Sequence, residues 1–187
     1  FFHRFYRPEN VVILVVGDVQ PNHVFELIEK HYGSWERGYT PPKVQAEPPQ
    51  KGERKGEVKY PGKTLPILDI AYKGEAFDPT NRDLAAALLM EELAFGQTSE
   101  IYKKLVIRDQ KVEFISADFP MNRDRPLFEI VTMVRDPQDL DAVRDEIYKT
   151  LARFQSEPVD AKRLEEVKRR HKYAFLMALD SPEAVAE

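Results

Sequence analysis

Hydrophobic positions along the chain fall into runs of alternating type. Val11-Val12-Ile13-Leu14-Val15-Val16 is an unbroken aliphatic stretch and predicts a strand buried on both faces. Gly17-Asp18 stops it. Gln20-Pro21-Asn22 then opens a helix whose apolar stripe is Val24, Leu27, Ile28 and Tyr32, ending near Trp35. From Gly38 to Gly56 the pattern disappears: Pro41, Pro42, Pro48 and Pro49 stand among Lys, Glu and Gln, which predicts a long extended surface connector.

Periodicity returns with a short strand at Glu57–Tyr60 and a longer one at Leu65–Lys73. Asp78-Pro79-Thr80 announces a helix with Leu84, Leu88, Leu89 and Leu93 on one face, closed by Gly96. Thr98 or Ser99 caps the next helix, with Ile101, Tyr102 and Leu105 inward. Lys111–Phe119 and Leu127–Arg135 predict two strands joined through the polar Asn122-Arg123-Asp124. Asp136-Pro137 starts a helix running through Phe154, and Pro158-Val159-Asp160 starts the last long one. Residues 181–187 read as the start of a truncated helix.

The order is therefore β-α-β-β-α-α-β-β-α-α, quasi-duplicated. It predicts an α+β two-layer sandwich: a mainly antiparallel sheet with helices on one face. The connections near Tyr60/Leu65 and Phe119/Leu127 are too short for parallel crossovers. Val11–Val16, Leu84, Leu88, Phe114, Ile130 and Val143 are expected in one core. The 187 residues suit a single domain, 1–187, and the non-Met start and the ending just after Ser181-Pro182 suggest a fragment of a longer chain.

Composition narrows the chemistry. A hydrophobic content of 42% supports a packed core, and a net charge of −4 gives no reason to expect nucleic acid as a partner. No membrane span is visible in the hydropathy. Without cysteine there is no thiolate site. The four histidines, His3, His23, His31 and His171, show no metal-ligand spacing. His23-Val24-Phe25-Glu26 begins a His-x-x-Glu-His, but Leu27 occupies the second histidine's place, and His31 lies roughly 12 Å further along the helix. Glu91-Glu92, Glu165-Glu166 and Asp139-x-Asp141 read as solvated, paired carboxylates. Catalytic residues: none; metal ligands: none.

The opening order, Tyr6-Arg7-Pro8-x-Asn10, aliphatic strand, Gly17-Asp18, amphipathic helix, Tyr32-Gly33-x-Trp35, resembles the start of the second, non-catalytic domain of the pitrilysin/insulin-degrading zinc peptidases, which include the mitochondrial processing peptidases. The later elements follow the same order. The resemblance implies that this segment is a non-catalytic, chamber-forming domain on the zinc-bearing half of a metallopeptidase. Zinc would then be held in an upstream domain and not here. It implies as partners an adjacent catalytic domain, a second half-molecule or dimer partner, and a peptide substrate. The compartment stays open, bacterial periplasm or cytoplasm.

By position, Gly96, Gln97, Thr98, Ser99 and Tyr102 resemble the substrate loop of the family's non-zinc subunit, although only Gly96 is a glycine. The Arg and Tyr which that subunit contributes have no counterpart: Val106 follows Leu105, and Glu113 stands seven residues on. Two other readings stay open, a scaffold relative that has lost the zinc motif and a free-standing binding module.

Overall fold

In a computed structural model, residues 1–186 are described, and they divide into two compact units, residues 1–57 with 173–186 and residues 58–172.

The second unit carries the sheet. Strands β1 (Ile67–Lys73), β2 (Val112–Asp118) and β3 (Leu127–Val134) form an antiparallel sheet in the order β1-β3-β2, with Ile70 opposite Ile130 and Ala117 opposite the same residue on the other side. The fold is α+β. On the central strand, Ile130, Thr132 and Val134 point inward at the strand period of two. Thr132 is fully buried, and its Oγ1 donates to the Phe114 carbonyl at 2.6 Å, so the one polar group in that row is satisfied.

Helices cover this row. Helix α3 (Arg82–Met90) is capped by Asn81, whose Oδ1 accepts from the Asp83 N–H, and continues as a π-wound turn, Glu91–Phe95. Helix α4 (Glu100–Tyr102) continues as a second π-wound segment, Lys103–Arg108. Helix α5 (Leu140–Ser156) brings in Val143 and Ile147 one turn apart. Ala94, Phe95, Ile101, Leu105, Val112, Ile115, Val143 and Ile147 close the core around Ile70, Ile130 and Val134. Helix α6 (Ala161–Ala178) buries Val167.

Two expectations about this core change. Phe114 is not a core residue: a register shift between Val112 and Phe114 breaks the alternation, so Val112 and Ile115 turn inward and Phe114 outward. Leu84 is buried, but outside the main cluster, and Leu88 is only half-buried.

The first unit holds α1 (Phe2–Phe5), a 3₁₀ turn at Pro8–Asn10, α2 (Pro21–Tyr32) and α7 (Pro182–Ala186). Arg7 ties its opening together, donating through Nε to the His3 carbonyl at 2.8 Å and through Nη1 to the Glu36 carbonyl at 3.2 Å. Glu9 Oε1 accepts the Gly38 N–H at 3.0 Å. Residues 38–56 form no helix or strand and, apart from the half-buried Tyr39, are exposed.

The strand expected at Val11–Val16 does not form: these residues lie in no ladder and all are exposed, Val12 at 91%. Glu57–Tyr60 is likewise not a strand. An aliphatic run favours an extended backbone, but a strand exists only where a second segment supplies hydrogen-bond partners. The first half of the expected duplicated order therefore carries no sheet of its own among the described residues.

Candidate functional site

The segment between the first π-wound turn and α4 is short, Gly96 to Ser99, and held on every side. Gly96 closes the first π turn by donating its N–H to the Glu92 carbonyl at 3.1 Å. Its lack of a side chain matters here, since a Cβ would stand 2.5 Å from that carbonyl oxygen. The Ser99 N–H returns to the Gly96 carbonyl at 2.8 Å, and Ser99 Oγ accepts the Tyr102 N–H at 3.2 Å. Ser99 is thus the helix cap, buried and committed to the backbone. Its oxygen does the structural work that an unpaired helix N–H requires.

Side chains distant in sequence grip the same segment. Thr98 Oγ1 donates to Glu92 Oε1 at 3.4 Å and also receives a hydrogen bond from Arg163 Nη2 of α6. Arg170 Nη1, two turns further along α6, meets Glu92 Oε1 at 2.7 Å. Beside this clamp opens a cleft of about 460 Å³, with Leu93, Phe154, Pro158 and Val159 among its apolar walls. Its charged groups are mixed, Lys103, Arg153 and Arg163 against Glu100, Glu157 and Asp160, so the cleft presents no field of one sign.

Of the five residues singled out as possible substrate contacts, Thr98 and Ser99 line this cleft. Gln97 is exposed beside it, Gly96 shapes the turn, and Tyr102 packs against the core. The two positions that would hold the Arg and Tyr are structural: Val106 packs on the core, and Glu113 pairs across the sheet with Arg135 at 3.2 Å.

No group of three or more His, Cys, Asp or Glu among the described residues is placed to hold a metal ion. His23 and His31 lie on α2, with His23 Nδ1 3.8 Å from Glu26 Oε2, while His3 is in α1 and His171 on α6. This set does not fit a zinc centre, which needs three ligands converging on one point.

The remaining carboxylates are mostly paired as expected: Glu165 with Lys168 at 2.8 Å, Asp141 with Arg144 at 2.6 Å. Asp139 meets Lys111 at 2.6 Å. Glu91 is the exception. Burial, opposed by the Phe119 backbone N–H and reinforced by Asp118, pushes its carboxyl up to about 7. The signal was present in the spacing, because Leu84, Leu88, Glu91 and Phe95 share one helical stripe.

Residues 1–170 match the family model described as the peptidase M16 inactive domain. The chain is 29% identical to the zinc protease PqqE of Helicobacter pylori, covering all of this chain and 42% of that protein. It is 25% identical to the uncharacterized zinc protease YmfH of Bacillus subtilis, covering 99% of this chain and 44% of that one. Among solved structures, a protease from Helicobacter pylori superposes with a TM-score of 0.87 at 26% identity, covering 97% of this chain and 44% of that one. A peptidase M16 inactive domain from Pseudomonas fluorescens shares the fold, with a TM-score of 0.70 at 16% identity over 91% of this chain and 40% of that one. The chain spans less than half the length of the curated relatives it matches. It belongs to the peptidase M16 family, as that family's inactive domain.

Proposed function

We propose that this chain forms part of the wall of a peptide-cleaving chamber in a zinc metallopeptidase, with the zinc ligands supplied by a separate catalytic domain. The observation that carries this reading is the match to an inactive domain over residues 1–170, in relatives named as zinc proteases. Within the wall, Gln97, Thr98 and the cleft beside Ser99 face the peptide, while Gly96 and Tyr102 hold the segment in place. Arg163 and Arg170 fix the loop so that its exposed groups keep one position, which is what a wall that orients a peptide requires. The partners in this reading are the adjacent catalytic domain of the same protein, a second half-molecule completing the chamber, and a peptide substrate.

Zinc titration by calorimetry and a fluorogenic peptide assay test the division of labour. The chain alone binds no stoichiometric zinc and cleaves nothing, whereas the full-length protein containing it holds zinc and shows chelator-sensitive turnover. Submicromolar zinc and turnover on the chain alone would overturn the assignment. A full-length protein with neither zinc nor turnover would move it to a scaffold relative that has lost the motif.

A further inference from the structure

Helix α6 changes character along its length. From Ala161 to Lys172 it is dominated by Lys, Arg and Glu around the buried Val167, the pattern of a helix with one inward stripe. From Tyr173 to Leu179 there is no charged residue: Tyr173, Phe175, Leu176 and Met177 stand on the helix, and Leu179 just past its end. All five are exposed, from Leu179 at 41% to Met177 at 75%. At about 100° per residue, Tyr173 and Met177 leave one side of the helix and Phe175 the opposite side, with Leu176 between them. The tail is apolar around its whole circumference.

A helix apolar on every side belongs in an interior, and a contiguous apolar patch on a surface marks an interaction site. The described residues provide no interior for it. The tail lies in the first unit, where no described residue is buried. The side chains of Val11–Val16 in that unit are open as well.

The shape of the tail selects among occupants. A second copy laid helix against helix covers one stripe of each and leaves the far side in water. A lipid surface has the same defect, because an interfacial helix carries a polar face opposite its apolar one, and the tail has none. A groove walled by several elements of another domain covers all sides. The relatives matched along this chain have room for such a domain, since the chain covers only 42% and 44% of them. Charge adds a constraint. Lys168 pairs with Glu165 and Arg170 with Glu92, whereas Arg169 and Lys172 make no ion pair among the described residues. Both stand on the Leu176 side, seven and four residues before it.

We propose that Tyr173–Leu179 is a docking plug that inserts into an apolar groove, acidic at its rim, on another domain of the same full-length polypeptide. The plug rests on the reading of this chain as one domain of a longer protein, and not on peptidase activity.

Two measurements on the full-length protein test it. Photoreactive benzoyl-phenylalanine in place of Phe175 is expected to cross-link to residues outside these 187, in a product of monomer mass. Wild-type Met177 is expected to be oxidised by dilute peroxide about tenfold more slowly than in the urea-unfolded protein, whatever the protein concentration. Cross-links confined to these residues, a product of dimer mass, or capture of the label by added anionic vesicles would overturn the plug. So would Met177 oxidised as fast as in urea, or protected only until the protein is diluted. If the labelled protein does not fold, the Met177 rate decides alone. Docking without zinc or turnover leaves the plug standing and the peptidase reading rejected; turnover with a freely oxidised Met177 does the reverse.

Discussion

Single residues act here mainly by filling or refusing space. Gly74 is one such case, because its missing Cβ leaves room for the Phe119 ring and its N–H donates to the Pro126 carbonyl at 2.9 Å. Gly74→Ala is expected to cost about 1–3 kcal/mol in urea melts through overpacking. Thr132 acts by pairing. Thr132→Val keeps the shape but removes the hydroxyl that serves the Phe114 carbonyl, with an expected loss of about 1–2 kcal/mol. A change within experimental error at either position would show that the site relaxes more freely than its packing implies.

At the scale of elements, the sheet is stabilised by what its inward row meets. Ile147 on α5 is fully buried against that row, so Ile147→Ala is expected to cost about 2–5 kcal/mol. Ile13 belongs to the aliphatic run that lies in no ladder and is 43% exposed, so Ile13→Ala is expected to cost well under half as much as Ile147→Ala. Lys51→Ala and Glu53→Ala fall on the exposed stretch outside any helix or strand and are expected to stay within about 0.5 kcal/mol. Equal losses at Ile13 and Ile147 would place the aliphatic run in the core after all. The clamp on the 96–99 loop is an element-level device of a different kind: Arg163 and Arg170 reach it from α6, and Glu92 receives one of them. The Arg170–Glu92 pair is partly exposed, and a double-mutant cycle is expected to give about 0.5–1 kcal/mol, weakening with salt.

At the scale of the whole molecule, the chain is a peptidase M16 inactive domain, and its place in a chamber wall is the proposal to be tested. If the loop faces the peptide, a photo-crosslinking residue placed at Gln97 in the full-length protein labels a bound peptide, and one at Lys51 does not. Equal labelling from both would remove the loop from the chamber wall while leaving the inactive-domain assignment untouched. No described helix is long and apolar enough to cross a membrane.

Much of the local structure follows from the order of residues alone. The helices after Asn81, Ser99, Asp136 and Asp160 and the three strands of the sheet were legible because capping and side-chain period act over a few residues. So was the membership in the family, carried by the order of the opening motifs, and the absence of a His-x-x-Glu-His pattern in these residues. The tertiary structure decided the rest. A one-residue register shift turned Phe114 out and Ile115 in, although alternation alone predicts the opposite. The aliphatic run at Val11–Val16 has every local mark of a strand, yet pairing depends on a partner segment that local sequence does not specify. The clamp joins Thr98 to Arg163 and Glu92 to Arg170, across 65 and 78 residues. Glu91 shares a helical stripe with Leu84, Leu88 and Phe95, but what surrounds its carboxyl is set only on folding. These are long-range contacts, whose energies arise only when distant segments meet, and no local pattern carries them.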